Sequence, residues 1–193
     1  MCNVRVRNFG RLNRNSSEEM RYYNRNATKP SIPNGYEIPR EPRMQVKEIE
    51  NKDDYIDLLL EADPSKDMIH KYLQESDVYA IQKKPDEIIS IAVILPISRK
   101  TLELKNLVTR ENYRNKGYAK TLLKSLCGNY KQKYDRMLVG TTENNIPFYV
   151  KQGFDKYEKT IKNFFIDNYK KEVKDGDLVC TDLIYYSKNL KKK

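Results

Sequence analysis

Between Val108 and Leu126 the chain reads VTRENYRNKGYAKTLLKSL, a loop crowded with arginine, asparagine and lysine that runs straight into an apolar-striped segment. Positive charge at a helix start opposes the positive end of the helix's own dipole; lysine and arginine ordinarily help the other end. The arrangement makes sense if something negative binds there. The first turn of any helix leaves backbone N–H groups without intrahelical partners. A diphosphate accepts several of them, and the dipole favours its charge. In Arg114-Asn115-Lys116-Gly117-Tyr118-Ala119, Gly117 removes the side chain that would hold a phosphate off the backbone. Asn115 tolerates a left-handed backbone, and Ala119 lets the helix approach closely. Arg114 and Lys116 supply charge-assisted contacts. Neither G-x-x-x-x-G-K-[ST] nor G-x-G-x-x-G is present, so this is neither a Walker loop nor a dinucleotide fingerprint. The plain alternative is a solvated basic helix start with a turn glycine.

Such a turn needs a strand to deliver it and a helix to follow. TLELKNLVT reads as that strand, and the following helix sets Ala119, Leu122, Leu123, Leu126, Cys127, Tyr130 and Tyr134 on one face. Upstream, MQVKEIE alternates as a strand and DDYIDLLLEA is helical. DPSKDMIHKYLQES opens a second helix, with Asp63 as N-cap and Pro64 at the first helical position. VYAIQK and EIISIAVILPI form a hairpin around Lys84-Pro85-Asp86, the second strand apolar enough to be central. Downstream come a strand RMLVGT, a short helix NNIPFYVKQG ended by Gly153, and closing strands FDKYEKTIKN and LVCTDLIYYS. The order predicts a mixed α/β domain around one central sheet. His70, the one histidine, lies among Met68, Ile69, Tyr72 and Leu73 and reads as structural rather than as a proton relay.

At 193 residues the chain holds one ordinary domain. With 33% charged and 38% apolar residues it suits a soluble protein. No apolar run approaches the roughly 20 residues of a bilayer span, and no signal-peptide core is evident. Cys2, Cys127 and Cys180 are odd in number and far apart. That argues against a disulfide framework or a metal site, and makes a reducing cytoplasm the expected location. The net charge of +10 invites a nucleic-acid reading. Eight arginines and one lysine stand against four acids in residues 1–43, whereas the remaining excess is spread thinly up to the tail KNLKKK, as on a solvated surface.

Composition changes abruptly at Met44. Residues 1–43 have no sustained apolar period and are rich in Asn, Arg and Pro, which reads as a disordered leader. A basic arm, a targeting sequence, or a stretch extraneous to the natural protein are the alternatives; Arg40-Glu41 can be spelled AGG-GAG, a ribosome-binding sequence ahead of Met44. The expected organisation is therefore a leader over 1–43, a domain over 44–190 and a basic tail over 191–193.

The segment Arg114 to Ala119 resembles the acetyl-coenzyme A (acetyl-CoA) signature of the GNAT N-acetyltransferase superfamily, R/Q-x-x-G-x-G/A after a strand. IPFYVKQGF resembles the superfamily's later F-Y helix ending in G-F. LLLEADPSKDMIHKYL and KNFFIDNYKKEVKDGDLVCTDLIYYSKNL resemble a bacterial branch of these enzymes with few assigned substrates. The resemblance spans roughly residues 44–190. It implies the GNAT fold, a central, mostly antiparallel sheet flanked by helices. It implies acetyl-CoA as acetyl donor, no metal, a small-molecule or protein amine as acceptor, and a monomer or homodimer.

It also implies roles. The main chain of Leu107, Val108 and Thr109 would hydrogen-bond the pantetheine arm, and Arg114, Asn115, Lys116, Gly117, Tyr118 and Ala119 would hold the pyrophosphate. A lysine-like amine has a pKa of about 10.4, so exposing its lone pair at pH 7 costs roughly 4.6 kcal/mol and a base is useful. Glu103 falls where relatives keep a glutamate for that task, with Glu143 and Asp167 as substitutes. Tyr149 matches the family's general acid, and a tyrosine pKa near 10 suits the departing thiolate. Relatives place a coenzyme-contacting asparagine about seven residues before this tyrosine, where the chain has Thr142; Asn144 is the substitute. The leading expectation is an acetyl-CoA-dependent N-acetyltransferase. A non-catalytic acyl-CoA sensor would keep the anion turn without needing Tyr149 or Glu103. A nucleic-acid-binding protein ranks last, for want of a recognised module.

Overall fold

A computed structural model describes residues 45–84 and 87–191. The leader, Pro85-Asp86 of the expected hairpin and the last two lysines lie outside the described residues. Strands β1 (Gln45–Glu48), β2 (Asp77–Lys84), β3 (Glu87–Pro96), β4 (Thr101–Thr109), β5 (Arg136–Thr141), β6 (Lys156–Ile161) and β9 (Leu183–Asn189) form one sheet in the order β1-β2-β3-β4-β5-β9-β6. Every neighbouring pair is antiparallel except β4 with β5. That parallel pair requires a crossover, supplied by helix α3 (Tyr118–Tyr130).

Helices cover both faces. β3 is buried along most of its length, as its unbroken apolar run requires, and serves two cores at once. Its Ala92 and Ile94 join Leu122, Leu123 and Leu126 of α3, while Ile91 and Val93 join Leu59, Ile69 and Leu73 from the opposite layer. That second layer comprises α1 (Ile56–Leu59), preceded by a 3-10 turn, and α2 (Lys66–Leu73). Asn106, wholly buried on β4, donates from Nδ2 to the Leu59 carbonyl at 3.1 Å and so ties the sheet to α1. No helix among the described residues is long and apolar enough to cross a membrane.

Two expectations are corrected. Asp63 is not the N-cap of α2, and Pro64 precedes the helix: Ser65, in an extended conformation, caps it by accepting from the Met68 amide at 3.3 Å. The Asp63 carboxylate is instead fully buried, accepting from the Ser65 amide at 3.2 Å and from the Tyr169 hydroxyl at 3.0 Å. Nor does LVCTDLIYYS run as one strand. Leu178–Val179 (β8) folds back on Lys174–Asp175 (β7), and only Leu183–Asn189 joins the sheet. The excursion between β6 and β9 also contains α5 (Phe164–Asn168), and buries Phe165, Val173, Cys180 and Leu183 in a satellite cluster of its own.

Leu122 has no exposed surface and faces the centre of the larger core. Leu122→Ala is expected to lower unfolding free energy by about 3 kcal/mol, through lost transfer energy and the cavity left behind. Urea denaturation checks this; a loss below about 1 kcal/mol would mean the α3 face is not packed as described.

Candidate active site

The turn between β4 and α3 has the backbone that an anion cradle needs. Asn115 (φ 62°) and Gly117 (φ 84°) are both left-handed, and Gly117 is the N-cap of α3 with no side chain closing the helix end. A Cβ added to Gly117 would meet no atom within 4 Å. Handedness, not crowding within the protein, therefore selects glycine here, and the space above the turn is open. Ala119 is buried against the core, so α3 does approach closely.

The two cations of the turn are engaged with the protein. Arg114 donates from Nε to the Thr109 carbonyl at 2.9 Å and pairs through Nη2 with Glu61 at 2.5 Å, bracing the turn against the end of α1. Lys116 donates to the Asn112 carbonyl at 3.0 Å and lies 5.6 Å from the centre of the Tyr113 ring. Tyr113 meets Tyr118 edge to face, with ring centres 5.9 Å apart.

Behind the turn, β4 parts from β5. Their ladder covers only Thr101 to Leu104 against Arg136 to Val139. Leu107, Val108 and Thr109 pair with Ala92, Ile91 and Ser90 of β3, and no ladder joins them to β5. The register with β3 skips Lys105, as a bulge does, which bends the strand away.

A cavity of about 280 Å³ opens near the point of parting, lined in part by Glu103, Lys105, Tyr72, Phe164 and Tyr185. Glu103 Oε1 accepts from Lys105 Nζ at 2.8 Å and from the Tyr185 hydroxyl at 3.1 Å. Its Oε2 takes no hydrogen bond from any described residue. Burial first, then the charge of Glu103, pushes the Tyr185 hydroxyl well above the ordinary tyrosine range, so it remains a donor. Gly140 makes room for this contact: a Cβ there would come within 3.1 Å of both the Tyr185 ring and Leu183. The substitutes for Glu103 are placed elsewhere, since Glu143 and Asp167 are exposed and line no part of the cavity. His70 is exposed on α2 and lines no part of the cavity.

Tyr149 lies on α4 (Ile146–Lys151) and is completely buried, edge-on to Phe148 and Phe154. It is not part of the cavity wall that carries Glu103. Thr142 donates to Asp175 Oδ2 at 2.6 Å, and Asn145 donates to the same oxygen at 2.7 Å. Asn144 donates to the Asp175 carbonyl at 2.9 Å. Its amide thus fastens the β7–β8 hairpin to the loop that launches α4.

Sequence reasoning missed Lys105, Tyr72 and Tyr185. Lys105 was within reach, because residues two apart on a strand share a face and Glu103 was already marked. Tyr185 meets Glu103 across 82 positions of sequence, and Tyr72 joins the wall through helix packing; no local pattern announces either.

Comparison with known proteins fits this geometry. The sequence model of the acetyltransferase (GNAT) family matches residues 40–154, more than half of the chain. An uncharacterized N-acetyltransferase of Bacillus subtilis, YvbK, is 30% identical over 139 residues, covering 70% of this chain and 88% of the relative. Among solved structures, a GNAT family acetyltransferase from Elizabethkingia anophelis with acetyl-CoA bound aligns with a TM-score of 0.69 at 33% identity, over 76% of this chain and 97% of that one. An IAA acetyltransferase from Bacillus cereus aligns at 0.69 with 27% identity, over 76% and 99%. A Bacillus subtilis acetyltransferase in complex with CoA aligns at 0.65 with 26% identity, over 76% and 99%. The chain belongs to the GNAT acetyltransferase family, and its mixed α/β fold is the one these structures share.

Buried tyrosines give the fold a testable alkaline limit. Tyr130, Tyr169 and Tyr185 are all raised above the ordinary range, chiefly by burial. The folded state then holds protons that the unfolded chain releases near pH 10, so their contribution is complete below about pH 10 and falls as pH rises further. Absorbance titration is expected to show tyrosines that ionise only as the protein unfolds, above about pH 10. Ionisation of all fifteen near pH 10 in a still-folded protein would contradict this burial.

Proposed function

We propose that the chain transfers the acetyl group of acetyl-CoA to a primary amine, by direct attack within a ternary complex. One observation carries the reading: a single strand, β4, ends in the left-handed Gly117 turn and carries Glu103 into a cavity at its middle. A donor whose phosphates sit on the turn and whose arm follows the open edge of β4 would bring its thioester towards the Glu103 wall.

Each part then has a task. N–H groups of the first α3 turn, at Gly117 to Ala119, hold the pyrophosphate, helped by the dipole. Lys116 adds charge at the rim, while Arg114 fixes the loop through Glu61. The main chain of Leu107 to Thr109 pairs with the pantetheine arm as an added strand would. Glu103 takes the proton of the acceptor's ammonium on Oε2, directly or through water. Lys105 and Tyr185 hold its other oxygen in place. The freed amine attacks the carbonyl carbon; a C–N bond forms, the C–S bond breaks, and the thiolate leaves. Tyr149 donates the proton the sulfur needs, and the second proton leaving the acetylated nitrogen restores the Tyr149 hydroxyl through water. A ring this buried also packs the core, and removal of its hydroxyl separates the two roles.

A thermal-shift titration with acetyl-CoA, followed by an amine panel read as free thiol, tests the reading. Acetyl-CoA is expected to raise the melting temperature, and Gly117→Val to abolish that rise. Glu103→Gln is expected to lower kcat about a hundredfold at neutral pH, the size of one general base. That loss should shrink as pH approaches the amine's own pKa. Full turnover by Tyr149→Phe would refute the proton-donor role. Binding without thiol release on any amine would favour the acyl-CoA sensor.

A further inference from the structure

We infer that the acceptor is a small zwitterionic amine, a free amino acid with an apolar or aromatic side chain, whose ammonium faces Glu103 and whose carboxylate faces Lys71. The inference rests on the transferase reading and adds the acceptor's class to it.

The charges of the cavity reduce to two that are open to a ligand. Four ionisable acid and base side chains line it: Asp63, Lys71, Glu103 and Lys105. Asp63 is taken up by the Ser65 amide and by the hydroxyls of Tyr169 and Tyr72. Lys105 is bound to Glu103 Oε1. Glu103 Oε2 remains as acceptor. Lys71 remains as cation: it forms no ion pair with a described residue, and its one hydrogen bond goes to the Met68 sulfur, a weak acceptor. An acid within and an unpaired cation at the rim match a molecule carrying both charges.

The surroundings extend the same polarity outward. A second crevice of about 640 Å³ shares Met68 and Lys71 with the cavity and adds Lys66, Lys170 and Lys171. Its acids are already paired, Asp67 with Lys170 at 3.0 Å and Glu172 with Lys174 at 2.9 Å. Lys66 and Lys171 have no acid partner among the described residues. A polyamine would have to place its second ammonium against this positive rim. The remaining walls, including Tyr72, Leu95, Phe164 and Leu183, offer apolar and aromatic surface for a side chain. The inner volume of about 280 Å³ is at the small end for ligand sites, which suits a compact acceptor.

Matched pairs of amines test the inference with wild-type protein, acetyl-CoA and a thiol readout: phenylalanine against phenethylamine, leucine against 3-methylbutylamine, with spermidine alongside. Each amino acid is expected to exceed its decarboxylated partner in kcat/KM by about three- to fivefold, the upper range for one exposed ion pair. Spermidine should be slower still. Lys71→Met is expected to cut the phenylalanine-to-phenethylamine ratio about three- to fivefold, and Lys71→Glu to reverse the preference. Lys71 is exposed, so neither change disturbs the core. Preference for the decarboxylated amines or for spermidine would overturn the acceptor class and leave the transferase standing. So would a ratio that neither substitution moves. Acetyl-CoA binding without thiol release on these amines would overturn the acceptor class alone, whereas no release across the wider amine panel would remove the transferase reading and this inference with it.

Discussion

Everything at the candidate site depends on where the parallel ladder between β4 and β5 stops. Four residues of β4 pair with β5, and then the bulge at Lys105 turns the strand away while β3 keeps its hold on the other edge. An open strand edge inside a sheet leaves main-chain groups that need partners. In the proposed reading, the amide groups of the pantetheine arm are those partners. The same bend sets the Gly117 turn at one end of the gap and brings Glu103 and Lys105 to the cavity near the other. Closing the ladder would satisfy the backbone and abolish the site.

The surrounding structure holds that gap open. On one side Asn106 ties β4 to α1, and Arg114 clamps the turn to Glu61 beside it. On the other, Asp175 receives Thr142 and Asn145, so the β7–β8 hairpin fixes the loop from which α4 and Tyr149 depart. Asp63 performs a similar service in the cavity wall, collecting Ser65, Tyr72 and Tyr169. Asn106, Asp175 and Asp63 are buried, and each has at least one partner from a distant part of the chain. Cys127 and Cys180 are buried as well, and desolvation raises both thiols, Cys180 to about 11.

Much of the fold was legible because the pattern is local. The continuous apolar run of β3, the striped face of α3 and the glycine after α4 each write their element into a dozen residues or fewer. The left-handed glycine turn before α3 was legible for the same reason, since strand, glycine and helix follow one another directly. Failures came where tertiary contacts decide. Asp63 has the look of a helix cap, but two tyrosine hydroxyls claim it and Ser65 caps instead. No element was expected over Phe164 to Asn168, where α5 forms because Phe165 has its own small core to enter. Tyr185 became a site residue only through the register that sets it opposite Gly140. Glu61 engages Arg114 from 53 residues away, a contact that no local pattern announces.

The central claim is that main-chain amides about Gly117 receive the linked phosphates of the coenzyme. Backbone amide resonances followed by NMR during a titration with CoA test it most directly. The largest shifts are expected at residues 115–120, with a second group at 107–109 along the open edge of β4. Saturable shifts confined to other parts of the molecule, with those amides unmoved, would contradict it.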